Sequence, residues 1–381
     1  MKDEILFVST IHRMSERVIP VIKKLQENFN VKILNTGQSS FNTEYDASLR
    51  YKKYVESNFK NSSIFNTPKI SYKGDGRSVK TIKDIAEAAN SLINNKTACV
   101  ILDDSRFQAF PSCLYSTSKD SGSVVFANSH GNMPTNNMPV YYGFKGRKFY
   151  DYIFVLGDCE RDHIRDFGFD KNLAIPAGIP ENDDLSLFER SNDYILVIPN
   201  FILQRELGGY KFDQCKASLF FSSEVIGKMK LLDLQQKLGK KIIFKLKHRM
   251  SSPINEETDV LRERIPKGLD YEIIHHVDCE QSLIAGASCV LSYGSTMSFK
   301  PIQMRIPTVV YRELGNVGNF IEYKGLISID DSYKFIFDKN FMEKEGNRFL
   351  TKTLKGGCDF TSSDIYLKSI YRRIGREDLV E

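Results

Sequence analysis

Several features that mark familiar protein classes are missing from this sequence of 381 residues. No apolar stretch approaches the roughly 20 residues of a membrane-spanning helix. The first apolar run, Ile5–Val8, is too short for the core of a signal peptide, so we expect a cytoplasmic protein. The net charge of +5 is small for this length and permits contact with phosphorylated ligands or with the inner membrane face. Because no basic stripe with interleaved aromatic residues appears, we expect no nucleic acid partner.

Sequence motifs for common cofactors and metals are also missing. The seven cysteines are scattered, and none stands at zinc-ligand spacing, so we expect reduced and mostly buried thiols. No Gly-x-Gly-x-x-Gly follows the first predicted strand and no P-loop appears, which argues against a dinucleotide oxidoreductase and an NTPase. Asp103-Asp104 lacks the spacing of an Asp-x-Asp metal motif, and its position after a strand suits a helix N-cap. We therefore expect no metal and no cofactor.

Short apolar runs alternate with helical periodicity along most of the chain, and this alternation predicts parallel α/β sheets. In the first half the predicted strands are Ile5–Ser9, Val31–Leu34, 69–72, Ala98–Leu102, Ser123–Ala127, Tyr152–Leu156 and Leu173–Ile175. In the second half they are Tyr194–Ile198, Ile242–Leu246, Tyr271–Ile274, Cys289–Leu291 and Thr308–Tyr311. Helical spacing predicts helices over about 15–28, 45–58, 79–93, 106–118, 159–167, 215–238, 257–264, 279–286 and 363–376.

The acidic stretch 181–193 interrupts this pattern and predicts a domain boundary. We expect a Rossmann-like domain over residues 1–185 and a second one over 186–345, two doubly wound halves that face a cleft. The segment 346–381 ends in a helix with Tyr366, Ile370 and Ile374 on one face. We expect this helical segment to pack across the domains, with its helix returning to the first domain.

The stretch 288–312 is the most informative part of the second half. An apolar strand ends in Ser292-Tyr293-Gly294-Ser295-Thr296, and a short amphipathic segment and another strand follow. The turn therefore lies at the carboxyl end of a parallel strand, where open α/β sheets bind ligands. Hydroxyls and amides at a helix start can bind an anion, and this predicts a phosphate site. An ordinary capped connection between a strand and a helix has the same pattern.

Two families share motifs with this sequence. The stretch Val8–Gln38 resembles the start of the UDP-N-acetylglucosamine 2-epimerases, which have a Gly-Thr-Arg-Pro-Glu loop, a helix with Pro-Val-Ile and a strand ending in Thr-Gly-Gln. Pro20-Val21-Ile22 and Thr36-Gly37-Gln38 match that pattern, whereas the loop Ser9-Thr10-Ile11-His12-Arg13 departs from it.

A second resemblance covers the turns between residues 130 and 311. It is to the CDP-glycerol glycerophosphotransferase-like and capsule-polymer transferases, which carry a His-Gly turn, a Gly-x-Pro-Arg-Asn-Asp segment, a Lys-x-His strand end and an Asp-Tyr-Ser-Ser turn. The corresponding segments here are His130-Gly131, Gly178–Asp183 with Glu181 in place of arginine, Lys247-His248, and Ser292–Thr296. Both resemblances imply the GT-B fold of two Rossmann-like domains.

For the first domain, the resemblance implies a site on the acceptor side. His130 would take a proton from an acceptor hydroxyl, because an imidazole titrates near neutral pH. The residues beside it and the first loop after a strand would line the acceptor: Gly131, Asn132, His12 and Arg13. A histidine at a strand end can also simply hydrogen-bond a loop carbonyl, and His12 and Arg13 can equally well stabilise their own loop.

For the second domain, the resemblance implies a nucleotide site. His248 and Lys247 would neutralise the leaving group, and His276 lies where such folds contact the nucleotide base. The remaining predicted donor-binding residues are Ser292, Gly294, Ser295 and Thr296. Strand alternation places Lys245 and Lys247 on one face, and a solvated sheet edge would have the same lysines.

These features together predict a metal-independent GT-B transferase. It would move a sugar or polyol-phosphate from a nucleotide-activated donor to a glycan or lipid-linked acceptor of a surface polysaccharide. One alternative is a UDP-N-acetylglucosamine 2-epimerase-like enzyme, which would act without an acceptor. Another is a non-catalytic protein that binds a nucleotide-sugar.

Overall fold

A computed structural model of the protein describes most of the chain, and it divides into two compact units. The first unit consists of Met1–Asp183 and Lys352–Glu381, and the second of Asp184–Thr351. The described residues are 3–9, 12–35, 63–66, 87, 90–103, 109–129, 150–166, 170–199, 223–246, 254–275, 277, 279–312, 318–331 and 336–380. Within them, no helix is long and apolar enough to cross a bilayer.

Seven parallel strands form the sheet of the first unit, in the order β3-β2-β1-β4-β5-β6-β7. They are β1 Glu4–Ser9, β2 Asn30–Asn35, β3 Ser63–Asn66, β4 Thr97–Leu102, β5 Val124–Asn128, β6 Tyr152–Val155 and β7 Ala174–Pro176. The described helices of this unit are α1 His12–Leu25, α2 Ala109–Asp120, α3 Asp158–Asp166 and α10 Ser362–Arg373. Short 3-10 helices lie at Lys171–Leu173, Pro180–Leu187 and Glu377–Leu379.

The strands of the first unit are apolar because helices cover both faces of the sheet. Successive side chains of a strand point to opposite faces, and β1 shows this directly. Ile5 and Phe7 belong to one buried cluster, and Leu6 and Val8 belong to the other. The first cluster also contains the apolar faces of α1 and α10, so the last helix packs on the first sheet as the sequence predicts.

Six parallel strands form the sheet of the second unit, in the order β10-β9-β8-β11-β12-β13. They are β8 Tyr194–Val197, β9 Ile242–Lys245, β10 Tyr271–Ile274, β11 Ala287–Ser292, β12 Thr308–Tyr311 and β13 Leu326–Ile327. Its described helices are α4 Ser223–Lys228, α5 Leu231–Leu238, α6 Ile254–Arg264, α7 Glu280–Ala285, α8 Phe299–Gln303 and α9 Lys339–Thr353. The predicted class, two doubly wound Rossmann-like sheets, is confirmed.

Three local predictions differ from the structure. α1 begins at His12, three residues before the expected cap at Ser15, because the segment from His12 contains good helix formers such as Arg13 and Met14. The described part of the helix predicted over 215–238 is two helices, since Lys230 adopts a left-handed backbone with φ of 48°. β3 was not predicted, and the predicted elements at 45–58 and 69–72 lie outside the described residues.

Candidate functional site

Each sheet has a topological switch point, where chain connections on the two sides run in opposite directions. In the first sheet it lies between β1 and β4, and in the second between β8 and β11. Loops leaving the carboxyl ends of these strands border a crevice in which open α/β sheets bind ligands. Residues that follow β1, β4, β8 and β11 therefore lie at the switch points, and the predicted site residues that follow β5, β9 and β10 lie at the same carboxyl edge of their sheets.

The turn after β11 is held by hydroxyl groups. Ser298 Oγ donates to the carbonyl oxygen of Tyr293 at 2.7 Å and lies 3.0 Å from Ser292 Oγ. The backbone amide of Ser298 also donates to the carbonyl oxygen of Ser295 at 2.9 Å. Ser292 and Ser298 are fully buried. Ser292, which the sequence placed among the nucleotide ligands, thus holds the turn from inside the protein.

Ser295 and Thr296 lie at the outer part of the same turn. Ser295 caps the 3-10 helix Thr296–Ser298: its Oγ accepts a hydrogen bond from the amide of Met297 at 3.3 Å. Both Ser295 and Thr296 are half-exposed, whereas Gly294 is buried. A capping hydroxyl keeps its own proton for donation. The predicted order of strand, turn, helix and strand is therefore present, with half-exposed hydroxyls at the helix start.

An ion pair that the sequence did not reveal lies directly behind this turn. Lys300 Nζ in α8 is 2.7 Å from Glu280 Oε2 in the first turn of α7, and the side chain of Lys300 is only 7% exposed. Because β11 connects α7 to the turn, the pair ties the helices on both sides of the strand. The presence of Lys300 within the mainly apolar segment 297–304 indicated a buried charge, but the sequence pattern does not show that Glu280 is its partner.

The carboxyl ends of β9 and β10 are joined by a buried cation. Lys245 Nζ donates to the carbonyl oxygens of Leu246 at 2.9 Å and His275 at 3.0 Å. The ring Nε2 of His275 is 2.6 Å from Thr258 Oγ1 in α6. The interpretation of this lysine as part of a solvated edge is wrong for Lys245, which is buried. The predicted site residues Lys247, His248 and His276 lie outside the described residues.

The switch point of the first sheet has buried polar groups at its strand ends. Ser9 ends β1, and Asp103 follows β4, with its amide donating to the carbonyl oxygen of Val8 at 3.2 Å. Both side chains are fully buried. We predicted Asp103 only as a helix cap and did not predict its burial. The apolar strand Thr97–Leu102 directly before it was a signal for that burial. His130, Gly131 and Asn132 lie outside the described residues, and His12 and Arg13 are placed in the first turn of α1 instead of a loop.

The Gly178–Asp183 segment has a structural role at the start of the last helix. Gly178 has a φ of 81°, and a Cβ there would overlap the Lys355 carbonyl oxygen and Ser362 Oγ. The carboxylate of Asp183 accepts hydrogen bonds from the backbone amides of Ser362 at 3.1 Å and Ser363 at 2.6 Å. Burial raises the pKa of Asp183, although these hydrogen bonds oppose the rise. The segment that we matched to a transferase motif therefore anchors α10.

Two other features of the described residues do not belong to the candidate site. Groups of three or more His, Cys, Asp or Glu side chains that could hold a metal ion are absent there. A recess of about 660 Å³ lies at the amino edge of the first sheet and is lined by Arg161, Asp162, Arg165, Asn172, Ala174 and Arg373. Its α3 arginines are already paired: Arg161 with Asp158 at 2.8 Å and Arg165 with Asp166 at 3.0 Å.

The five cysteines whose side chains the structure describes are free thiols: Cys99 and Cys289 are buried, and Cys159, Cys279 and Cys358 are partly or fully exposed. Cys279 caps α7, because its Sγ accepts the amide of Ser282 at 3.4 Å. The expectation that the thiols are mostly buried is therefore met by two of these five positions.

Comparison with known proteins gives matches in structure but not in sequence. No family model and no curated protein matches the sequence. UDP-GlcNAc 2-epimerase from Neisseria meningitidis, solved with UDP-GlcNAc, has a TM-score of 0.66 at 13% identity and covers 98% of this chain and 100% of that chain. MnaA of S. aureus, solved with UDP, has a TM-score of 0.64 at 11% identity. The match covers 99% of this chain and 98% of that chain.

A structure described as a glycosyltransferase from Rickettsia africae is also similar. Its TM-score is 0.58 at 13% identity, and 100% of each chain is covered. At such identities the similarity establishes the fold and not the activity. Because the similarity extends over both units, the chain has the GT-B fold found in nucleotide-sugar epimerases and glycosyltransferases.

Proposed function

We propose that the protein is a GT-B-type enzyme that transfers a sugar or a polyol-phosphate from a nucleotide-activated donor to a surface glycan or lipid-linked acceptor. The observation that carries the proposal is the capped turn 293–298 at the switch point of the second sheet, where half-exposed hydroxyls stand at a helix start. The similarity to structures that hold UDP-GlcNAc or UDP supports a nucleotide ligand of this class.

In this proposal the second unit holds the donor. Ser295 and Thr296 donate hydrogen bonds to diphosphate oxygens, and Gly294 lets the backbone approach the phosphate. Lys247 and His248, which follow β9, offset the negative charge that develops on the nucleotide leaving group, and His276 contacts the base. No metal or other cofactor is required, since cationic side chains and the helix start neutralise the diphosphate.

The first unit presents the acceptor near His130, Gly131 and Asn132, with His12 and Arg13 on the neighbouring helix start. For sugar transfer, the acceptor oxygen forms a bond to the anomeric carbon as the bond from that carbon to the diphosphate oxygen breaks. His130 takes the proton of the acceptor hydroxyl, and the nucleoside diphosphate leaves with the bonding electron pair. A lipid-linked acceptor and peripheral contact with the inner membrane face remain predictions.

The test combines binding and turnover. Wild-type protein is titrated with a panel of nucleotides and nucleotide-activated donors, and donor consumption is followed with and without glycan acceptors. The double variant S295A/T296A is expected to weaken nucleotide binding about tenfold or more, because each hydroxyl to phosphate bond contributes about 1 kcal/mol. Thr351→Ala is the matched control, since Thr351 is an exposed hydroxyl in α9 of the same unit. If no donor binds, or if H130A and H248A both keep full turnover, the proposal is wrong.

A 2-epimerase is the second candidate function. Pro20-Val21-Ile22 lies in α1, the position of the Pro-Val-Ile helix in the epimerase family, and the similar structures include several UDP-GlcNAc 2-epimerases. This candidate predicts inversion at C2, or UDP release, from UDP-N-acetylglucosamine without any acceptor. Saturable binding of a nucleotide-sugar with no product under either condition would instead identify a non-catalytic binding protein.

A further inference from the structure

The arginine-lined recess of the first unit lies away from the candidate site. Three of its lining residues belong to α3, Asn172 and Ala174 lie at the start of β7, and Arg373 is the last residue of α10. Because α3 runs back between two parallel strands, its carboxyl end and the start of β7 meet at the amino edge of the sheet. The candidate site lies at the carboxyl edge, so a ligand in the recess would occupy a second, separate site.

The lining of the recess is charged and polar. It has three arginines, one aspartate and one asparagine, and Ala174 is its one apolar residue. Its volume of about 660 Å³ is typical of sites for small molecules, but such sites are usually lined by apolar and aromatic side chains. Three guanidinium groups against one carboxylate give the lining a positive charge. The recess therefore suits a hydrophilic anion better than an apolar ligand or a nucleotide base.

Arg373 presents a fixed positive charge to the recess. Its guanidinium lies over the ring of Tyr152 with its central carbon 4.5 Å from the ring centroid, and its Nη1 donates to the carbonyl oxygen of Ser369 at 3.2 Å. The Nε atom is buried and has no hydrogen-bond partner. No carboxylate in the described part of the chain pairs with Arg373. Stacking thus holds this cation in place without neutralising it.

The two α3 arginines are paired only weakly. Arg161 lies 2.8 Å from Asp158 and Arg165 lies 3.0 Å from Asp166, and these four side chains are 34–61% exposed. Exposed pairs of this kind contribute about 0–1 kcal/mol, so they give little resistance to a competing anion. Asp158 and Asp166 do not line the recess. A ligand can therefore engage both arginines without displacing a buried carboxylate.

We propose that this recess binds the phosphate groups of a hydrophilic ligand, with Arg373 as the fixed contact and Arg161 and Arg165 as adaptable ones. A phosphate matches this set because its several oxygens accept paired hydrogen bonds from more than one guanidinium. The inference is independent of the transferase activity, since none of these residues belongs to the candidate site. A free phosphorylated molecule and the phosphates of a polymer share this chemistry.

The test is a calorimetric titration of the full-length protein with inorganic phosphate, tripolyphosphate and long-chain polyphosphate. We expect Arg373→Gln to weaken tripolyphosphate binding about tenfold or more, because charge-assisted hydrogen bonds are the strong ones. The matched control is Arg372→Gln. Arg372 is the preceding residue of α10, is exposed and does not line the recess, so its loss should change binding less than about twofold.

A second variant tests the site without disturbing the stacked arginine. Asn172 is exposed, and its described hydrogen bond is made by its backbone amide, which donates to Asp170 Oδ1 at 2.9 Å. Asn172→Asp therefore adds a carboxylate to the recess and removes no packed group. We expect it to weaken tripolyphosphate binding about tenfold by repulsion. This expectation holds even if R373Q fails to fold.

The turn 293–298 could also bind a phosphate, so S295A/T296A is titrated in parallel. Tripolyphosphate binding should persist in that variant, and hydrogen exchange should slow in α3 and in the last turn of α10. Binding that is lost in S295A/T296A but kept in R373Q and N172D would overturn the inference. Equal losses in R372Q and R373Q, or no saturable binding of any of the three probes, would also overturn it.

The probes also distinguish the two sources of phosphate. Tighter binding of long-chain polyphosphate than of tripolyphosphate, compared at equal phosphate concentration, supports the site and identifies a polymer as its ligand. Equal binding supports the site and identifies a free phosphorylated molecule. Failure of every donor in the turnover assay would refute the transferase proposal and leave these results unaffected.

Discussion

The two sheets have the same strand order around their switch points, but they organise the edge that carries the candidate site in different ways. In the second unit, the groups behind the turn come from nearby in the chain: Lys300 and Glu280 are 20 residues apart. In the first unit, Asn128 meets Tyr366 across 238 residues. A site built from neighbouring residues can be recognised in the sequence as a strand, a turn and a helix. A site that needs a residue from a distant part of the chain cannot be recognised in this way.

The difference also concerns how each unit is completed. The second unit is one continuous stretch of chain, and the first includes the last thirty residues as well. Asp183 caps α10, and the amide of Lys355 donates to the carbonyl oxygen of Leu156 at 2.8 Å. The first sheet therefore depends on the returning segment for both its packing and its strand-end geometry, and changes in that segment should affect the first unit selectively.

The largest effect is expected at the turn that receives the returning segment. Gly178→Ala combines a left-handed backbone with a Cβ that overlaps Lys355 and Ser362, so we expect a loss of about 3 kcal/mol or more. Gly239→Ala in the second unit is the control, because its φ is also positive but nothing lies within 4 Å of the added Cβ. It should lose only about 1 kcal/mol.

Urea unfolding would measure these losses in the free energy of unfolding. Hydrogen exchange of the amides in β5 and β11 would then show which unit is affected. Equal losses for the two glycine variants, or a G178A loss confined to β11, would contradict the dependence of the first sheet on the returning segment.

An intermediate effect is expected at the ion pair behind the turn of the second unit. Lys300→Met removes the largely buried ion pair between Lys300 and Glu280, and we expect a loss of about 2 kcal/mol. The control Lys237→Met removes an exposed pair with Asp233 and should change stability by less than about 0.5 kcal/mol. K300M should also weaken nucleotide binding at the adjacent turn, which a titration with UDP measures. Equal stability losses in the two variants would show that burial of the pair is unimportant.

The smallest effect is a pH dependence that both units share. Burial raises the pKa of Glu4, but hydrogen bonds from Lys32 and Asn94 outweigh it and lower the pKa overall. In the second unit, burial likewise raises the pKa of Glu345, but hydrogen bonds from Arg348 and the Lys324 amide outweigh it and lower the pKa overall. A folded-state pKa below the unfolded one gives stability that is present above the unfolded pKa and lost as pH falls through the folded pKa.

Unfolding free energies measured from about pH 6 to pH 3 should therefore fall with pH, and E4Q and E345Q should each flatten part of that decline. Hydrogen exchange in β1 should respond to E4Q and exchange in α9 to E345Q. A decline that is unchanged in both variants would exclude these two carboxylates as its source.

Much of the fold could be predicted from short segments of the sequence. Strands such as Ile5–Ser9 and Thr308–Tyr311 are apolar runs because both faces of a parallel sheet are buried, and the strand pattern alone indicates this. The turn Ser292–Thr296 is equally local, since the strand end, the capping serine and the helix start lie within ten residues. Element ends were less accurate: α1 extends further toward its start than the expected cap, because its first residues are themselves good helix formers.

The sequence alone thus determined the alternation of strands and helices, the two Rossmann-like sheets and the position of the turn Ser292–Thr296 between a strand and a helix. Only the tertiary structure decided the polar contacts at the strand ends: the burial of Lys245 and Lys300, the anchoring of α10 by Asp183, and the bond between Tyr366 and Asn128. The physical reason is that strands and helices leave a periodic pattern of apolar residues in the sequence. A hydrogen bond between distant residues leaves no such pattern, because it depends on where folding brings their backbones together.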